Sequence, residues 1–342
     1  GTGLKLIPRS LANYGFTNII GVPEQEVLSG DFPTVASPNP EEPSAMAMAI
    51  EKAKETGAEV VMASDPDADR IGLVIRDNNG EYVLINGNQI VMIFLNYLMT
   101  RNTELGTLTG NEYIVKTIVT TETIRTIAEA QHIKMYDCFT GFKWIANVMR
   151  ENEGKARYLG GGEESYGFLA EDFVRDKDSV SAISLMAEIA AWAKDKGLNM
   201  TDMLIDIYMK YGFSREKGIS LVRKGKSGAE EIIALMKQFR ENPPKEIAGS
   251  PVVTVKDFQS LVETNVVTGE TKKLDMPATS NVLQYYTADR TKVSVRPSGT
   301  EPKIKFYIEV HDTLASADEY KATEARADEK IDRIAKEFGI TK

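Results

Sequence analysis

Three aspartates, Asp65, Asp67 and Asp69, recur at alternate positions in Ser64-Asp65-Pro66-Asp67-Ala68-Asp69-Arg70, and an arginine follows at once. Apolar runs flank them at 59–63 and 71–75, and each reads as a buried strand. Carboxylates crowded between two such strands repel one another unless a positive charge joins them. An all-oxygen set of this kind suits a hard divalent cation. A solvated acidic turn is the plainer alternative. An EF-hand loop opens in the same way, but it needs Gly at its sixth position and Glu at its twelfth. Those positions hold Arg70 and Arg76, so that reading fails twice. A phosphatase-like nucleophile at Asp65 stays open, although it gives the third aspartate and the arginine no task.

Three further stretches combine residue types suited to anions or hydroxyls. Arg296-Pro297-Ser298-Gly299-Thr300-Glu301-Pro302-Lys303 offers a planar bidentate cation for phosphate, two hydroxyls and a glycine that lets backbone amides turn toward an anion. A plain hairpin turn would look similar. Gly162-Glu163-Glu164-Ser165-Tyr166-Gly167 sets adjacent carboxylates in flexible backbone, where they could hydrogen-bond sugar hydroxyls or simply form a structural loop. Thr140-Gly141-Phe142-Lys143 puts a lysine at a helix start, against the helix dipole, which suggests a nearby anion; a solvated lysine is the alternative. Together the four stretches suggest phosphoryl chemistry on a phosphosugar.

The elements that must position these residues follow from periodicity and breakers. A helix is expected at 4–15, with Leu4, Ile7, Leu11 and Tyr14 on one face and Pro8 in its first turn. A strand follows at 18–22, a loop at 23–40, then a helix at 41–56 with acids in its first turn. Strands at 59–63, 71–76 and 82–85 complete a unit whose strand–helix–strand order implies a sheet with parallel pairs, with the aspartates at a strand's carboxyl end. A second unit begins near Gly87: helix 88–101, strand 113–119, helix 121–131, strand 134–136, helix 143–150, strand 156–159 and a helix at 179–195 capped by Asp178 or Ser179. From about 213, hairpin-linked strands (217–222, 252–258, 282–287, 292–296 and 304–310) with helices at 228–241 and 315–337 suggest a separate α+β domain.

Composition sets outer limits. A chain of 342 residues has room for two or three domains. Its net charge of −9 gives it no general attraction for nucleic acid or anionic membrane. With Cys138 as its single cysteine it has no internal disulfide framework, which suits a reducing, cytoplasmic compartment. The most apolar window, 90–99, is half the length of a membrane span. No leader is visible at the start, and Gly1-Thr2-Gly3 suggests a chain that begins inside a longer protein.

The acid loop, the Glu163 loop and the Arg296 loop together resemble the α-D-phosphohexomutase family, and within it the phosphoglucomutase/phosphomannomutase enzymes. They come in the family's order and at family-like spacing. The resemblance covers domains two, three and four of a four-domain family, with limits expected at 1–86, 87–212 and 213–342. It implies two mixed α/β three-layer domains followed by a smaller α+β, TBP-like C-terminal domain. It also implies an intramolecular phosphotransferase acting on hexose phosphates, with glucose favoured and mannose or pentose open, through a phosphoserine and a sugar 1,6-bisphosphate. Asp65, Asp67 and Asp69 would hold one Mg²⁺, and Arg70 would balance charge at the phosphoserine. Gly162, Glu163 and Ser165 would bind the sugar. Arg296, Ser298, Gly299, Thr300 and Lys303 would grip the phosphate that is not transferred. Lys143 would face the reacting sugar.

Ser37, in Ala36-Ser37-Pro38-Asn39-Pro40, looks like the family's phosphoserine loop. However, Pro38-Asn39-Pro40-Glu41 matches a second-domain segment of the family and precedes the acid loop by one helix and one strand, as that segment should. The expectation is therefore that Ser37 is not the nucleophile, that the phosphoserine domain lies outside this chain, and that the chain alone binds phosphosugar without turning it over.

Overall fold

The computed structural model describes residues 1–340 except Lys224, Thr300 and the side chain of Lys226. The chain forms two compact units, Gly1–Ile207 and Tyr208–Lys342.

The first unit contains α1 (Gly3–Asn13), α2 (Pro43–Thr56), β1 (Val60–Ser64), β2 (Ile71–Arg76), β3 (Tyr82–Ile85), α3 (Gly87–Glu104), β4 (Glu112–Thr117), α4 (Thr123–Ala130), β5 (Lys134–Cys138), α5 (Phe142–Asn152), β6 (Arg157–Gly162), β7 (Phe168–Ala170) and α6 (Ser179–Asp195); α7 (Met200–Tyr211) crosses the boundary between the units. Its first sheet runs β1-β2-β3 and is wholly antiparallel. The expected parallel pairs are absent because residues 18–22 form no strand. Ile19 and Ile20 have the right propensity, but they stay 39% and 47% exposed; without a partner edge, apolar β-branched residues do not make a strand. The acid loop is instead the tip of a hairpin whose last pair is Ser64 with Ile71.

Two helix starts also depart from expectation. α2 begins at Pro43, where the missing N–H is harmless, so Glu41 and Glu42 precede it and its first turn holds no acid. Pro8 lies inside α1 rather than in its first turn, and Tyr14 points outward, 69% exposed. The core between α2 and the first sheet is Met46, Ala53, Val61 and Val74.

The second sheet runs β5-β4-β6-β7, with β4 parallel to both β5 and β6, and β7 antiparallel. α3 is apolar on nearly all sides, with Ile90 through Leu95 buried, as befits a central helix. Phe94 stacks on Phe168 at 4.2 Å between centroids. α5 packs Ile145, Val148 and Met149 with Tyr113 and Val115 of β4. β6 runs three residues past the expected strand end, so Gly160, Gly161 and Gly162 belong to it, and β7 and α7 were not anticipated from the sequence. A Cβ on Gly162 would lie 2.7 Å from Val91 Cγ2, so α3 needs the glycine run in order to reach the sheet.

The second unit contains β8 (Phe213–Val222), α8 (Gly225–Glu241), β9 (Glu246–Ile247), β10 (Ser250–Asp257), β11 (Val262–Asn265), β12 (Thr271–Lys273), β13 (Leu283–Thr287), β14 (Lys292–Pro297), β15 (Lys303–Asp312) and α9 (Tyr320–Glu337). Its antiparallel sheet runs β12-β11-β10-β13-β14-β15-β8, with β9 on β10; β9, β11 and β12 had no clear signal in the sequence. Register puts Leu283, Tyr285, Val293, Val295, Ile304, Phe306 and Ile308 on one face. Phe239 of α8 and Phe338 just past α9 both pack on Phe306, at 5.9 and 6.0 Å between centroids. The helices therefore cover the apolar face, as expected of an α+β domain. Among the described residues, no helix is long and apolar enough to cross a membrane.

Candidate active site: an acid loop joined to a glutamate loop

The three aspartates converge. One carboxylate oxygen from each of Asp65, Asp67 and Asp69 lies within 4.8 Å of the others. The hairpin tip forces this: Ala68 adopts φ 60°, and Asp65 Oδ1 accepts the backbone N–H groups of Asp69 and Arg70, each at 3.0 Å. Asp65 is buried, Asp67 exposed and Asp69 between them. Burial, together with the negative charge of Asp69, pushes the Asp65 carboxyl up to about 6, against the two amides that favour its ionised form.

Two cations answer this charge. Arg70 Nε lies 3.8 Å from both Asp65 Oδ2 and Asp69 Oδ1, while its Nη1 reaches Glu41 Oε1 at 3.2 Å. The Pro38-Asn39-Pro40-Glu41 segment is thereby tied to the acid loop. Lys177 Nζ lies 2.5 Å from Asp69 Oδ2. Asp69 Oδ1 is buried with no hydrogen-bond donor among the described residues. An orphaned carboxylate oxygen in an all-oxygen cluster fits a hard divalent cation such as Mg²⁺, and Asp65, Asp67 and Asp69 are the residues that could hold it.

The acid loop is joined directly to the glutamate loop. Arg70 and Gly167 form an antiparallel bridge, and the Ile71 N–H donates to Tyr166 O at 3.1 Å. The two glutamates are differently employed. Glu164 Oε2 accepts the hydroxyls of Thr117 and Thr120 at 3.1 and 3.3 Å, so it anchors the loop to the end of β4. Glu163, 5% exposed, accepts the Gly141 N–H on Oε1 at 2.7 Å. Burial, reinforced by Glu164, pushes the Glu163 carboxyl up to about 7, with Gly141, Lys177 and Arg70 pulling the other way. Ser165 is half-buried beside it, and Gly162 is buried at the end of β6.

Gly141, at φ 107°, is the N-cap of α5. Its bond to Glu163 brings the turn before Lys143 to the glutamate loop. Lys143 itself is exposed, with its ammonium 5.6 Å from the Trp144 ring centre, and no carboxylate pairs with it among the described residues. β5 and β6 are parallel strands on either side of β4, so the α5 turn and the glutamate loop leave the same end of one sheet, where α/β folds place ligands.

The Arg296 loop lies in the second unit, between β14 and β15. Ser298 N–H donates to Lys303 O at 2.8 Å, the Glu301 N–H donates to Ser298 Oγ at 3.3 Å, and Glu301 pairs with Lys303. Arg296 stands directly opposite Lys305 across the strands; like charges so placed repel, and no carboxylate pairs with Arg296 among the described residues. Gly299 is exposed. Thr300 lies outside the described residues.

Several site residues escaped sequence reasoning. Lys177 had only its placement before the α6 cap, a cation facing a helix N-terminus, as a signal. Lys116 is fully buried in β4, with its ammonium 2.8 Å from Asp137 Oδ1 and 3.0 Å from Glu122 Oε1; a lysine inside an apolar strand was the available clue.

Comparison with known proteins places these features in context. Three family models match: phosphoglucomutase/phosphomannomutase alpha/beta/alpha domain II over residues 1–80, alpha/beta/alpha domain III over 86–211 and the C-terminal domain over 252–327. The phosphoglucomutase of Staphylococcus haemolyticus is 34% identical over 311 residues, 91% of this chain and 56% of that protein. That of Staphylococcus epidermidis is 35% identical over 308 residues, 90% of this chain and 55% of that protein. The chain thus spans about half the length of the curated relatives it matches. Among solved structures, a putative phosphomannomutase from Thermus thermophilus aligns with a TM-score of 0.61 at 17% identity, over 95% of this chain and 59% of that one. A phosphoglucomutase/phosphomannomutase family protein from Burkholderia thailandensis aligns with 0.58 at 20% identity, over 92% and 54%. At these identities the likeness is one of fold.

Proposed function

This chain belongs to the phosphoglucomutase/phosphomannomutase family, and from that premise we propose that the intact protein is an intramolecular phosphotransferase interconverting hexose 1-phosphate and hexose 6-phosphate. The observation that carries the reading is the junction of the acid loop with the glutamate loop through the Arg70–Gly167 bridge, which sets an oxygen-only cation site beside a carboxylate and a hydroxyl suited to a sugar. Glucose is the favoured sugar, with mannose and pentose phosphates as the other specificities to test. The limits 1–86, 87–212 and 213–342 are the domain division we propose.

In this reading Asp65, Asp67 and Asp69 hold Mg²⁺, which supplies charge stabilisation to the transferring phosphoryl group. Arg70, fixed by Glu41, balances charge at the donor phosphate. Glu163 and Ser165 orient the sugar hydroxyls, with Gly162 beside them at the end of β6. Lys143, with no carboxylate partner among the described residues, holds or moves a proton at the reacting hydroxyl. Arg296, Ser298, Gly299, Thr300 and Lys303 grip the phosphate that stays on the sugar; a bidentate guanidinium relieved of its repulsion from Lys305 suits that task. The reaction needs a phosphoserine, which the reading assigns to sequence outside these 342 residues rather than to Ser37. It passes one phosphoryl group to the sugar, forming a 1,6-bisphosphate, and recovers the other. The chain by itself is then a phosphosugar-binding portion without turnover.

The test is a coupled assay of the intact protein with Mg²⁺ and trace sugar bisphosphate, comparing glucose, mannose and pentose 1-phosphates. Turnover of one or more of them supports the reading, and turnover of none overturns it. Turnover by the 342-residue chain alone would overturn the assignment of the phosphoserine.

A further inference from the structure

We propose that Lys177 is a resident counter-cation of the acid loop, neutralising Asp69 before a divalent cation arrives and competing with that cation afterwards. The inference rests on the metal reading of Asp65, Asp67 and Asp69 given above.

Local structure does not account for Lys177. It immediately precedes Asp178, the N-cap of α6, whose carboxylate accepts from Val180 and Ser181. A cation at that end opposes the helix dipole. Its neighbour Asp176 is 3.5 Å away but 73% exposed, whereas the contact with Asp69 is at 2.5 Å and both side chains are mostly buried, 18% and 23% exposed. The aliphatic stem crosses the glutamate loop to get there. A Cβ on Gly167 would lie 2.5 Å from Lys177 Cδ, so the bare glycine is what leaves the lysine its path.

The contact divides the two oxygens of Asp69. Lys177 takes Oδ2, and Oδ1 is left buried, 3.8 Å from Arg70 Nε and without a hydrogen bond among the described residues. A divalent cation held by Asp69 and an ammonium on the same carboxylate would stand within about 5 Å of each other. Repulsion at that range changes affinity by roughly tenfold even at the dielectric of water, and by more at a half-buried site. Loss of an outer hydrogen bond that orients a ligand acts in the opposite direction. Here that second effect is small, because Asp69 is placed by its backbone: its N–H donates to Asp65 Oδ1 at 3.0 Å, and the preceding Ala68 O accepts from Ser179 N at 3.0 Å. The charge therefore decides the sign, and Lys177 weakens cation binding while steadying the cation-free loop.

The test is Mn²⁺ titration of the chain, followed by electron paramagnetic resonance, for wild type, Lys177→Met and Lys177→Arg, with melting temperatures in EDTA and in Mn²⁺. The expected result is that Lys177→Met binds Mn²⁺ at least about tenfold tighter, melts lower than wild type in EDTA and gains more on adding Mn²⁺, while Lys177→Arg matches wild type in all three. If Lys177→Met does not fold, Lys177→Gln is read in its place. A folded neutral variant that binds Mn²⁺ with the wild-type constant, or more weakly, overturns the proposal and leaves the metal reading standing. A wild-type chain that binds no Mn²⁺ overturns both.

Discussion

The Gly141 amide donates to Glu163 Oε1 across 2.7 Å, and this one bond joins the α5 turn to the glutamate loop. It stabilises the ionised form of a carboxyl that burial nevertheless holds near 7. In the unfolded chain the same group titrates at its ordinary 4.5. Between those values the folded state binds more protons than the unfolded one, so stability contributed by Glu163 is full below 4.5 and is lost as pH rises through about 7. Glu163→Gln keeps the shape without the charge. It is expected to stabilise the protein by roughly 1–3 kcal/mol at pH 8, with little change at pH 4.5. Denaturant unfolding at the two pH values checks this, and equal effects at both would contradict it.

Gly87 opens α3 against the glutamate loop, and a Cβ there would lie 2.0 Å from the carbonyl oxygen of Glu164. That neighbour is backbone and cannot rotate away. Gly87→Ala should cost about 1–3 kcal/mol, lowering the melting temperature of the first unit by about 2–4 °C for each kcal/mol. Gly218→Ala, in β8, where a Cβ would meet nothing within 4 Å, is the matched control and should be near neutral. Calorimetry separates the two.

Arg296 faces Lys305 across the strands. Removing its guanidinium relieves that repulsion, so Arg296→Ala should leave stability unchanged or slightly higher. A charged hydrogen-bonded contact to substrate phosphate is worth about 1.5–3 kcal/mol. The intact enzyme should therefore lose affinity by roughly 10- to 100-fold, seen as a raised KM with a smaller change in kcat. A variant that unfolds, or one with unchanged KM, would contradict the role.

Legibility in the sequence followed the range of the interactions. The acid loop was legible because alternation of Asp65, Asp67 and Asp69 between apolar runs is a local signal, and the Arg296 loop likewise sits between two strongly patterned strands. The sheet order around the acids was not legible. Residues 18–22 have strand composition, yet Ile19 and Ile20 stay exposed and join no sheet of the described residues. Lys177 was missed because its partner Asp69 is 108 positions away. The unequal work of Glu163 and Glu164 was hidden for the same reason: Thr117, Thr120 and Gly141, which separate their roles, come from the end of β4, the turn after it and the α5 turn.

The most direct test of the central claim, that the three aspartates hold the cation of a phosphoryl-transfer site, is turnover by the intact protein carrying Asp67→Asn. Asp67 is exposed and is the aspartate of the three with least structural work. Wild type should convert glucose 1-phosphate only when Mg²⁺ is present. Asp67→Asn should melt no lower than wild type in EDTA, since one repelling charge is gone. Its turnover should fall at least about 100-fold, the consequence of losing about 3 kcal/mol of transition-state stabilisation. Turnover by Asp67→Asn at the wild-type rate, with the same dependence on Mg²⁺, would contradict the account.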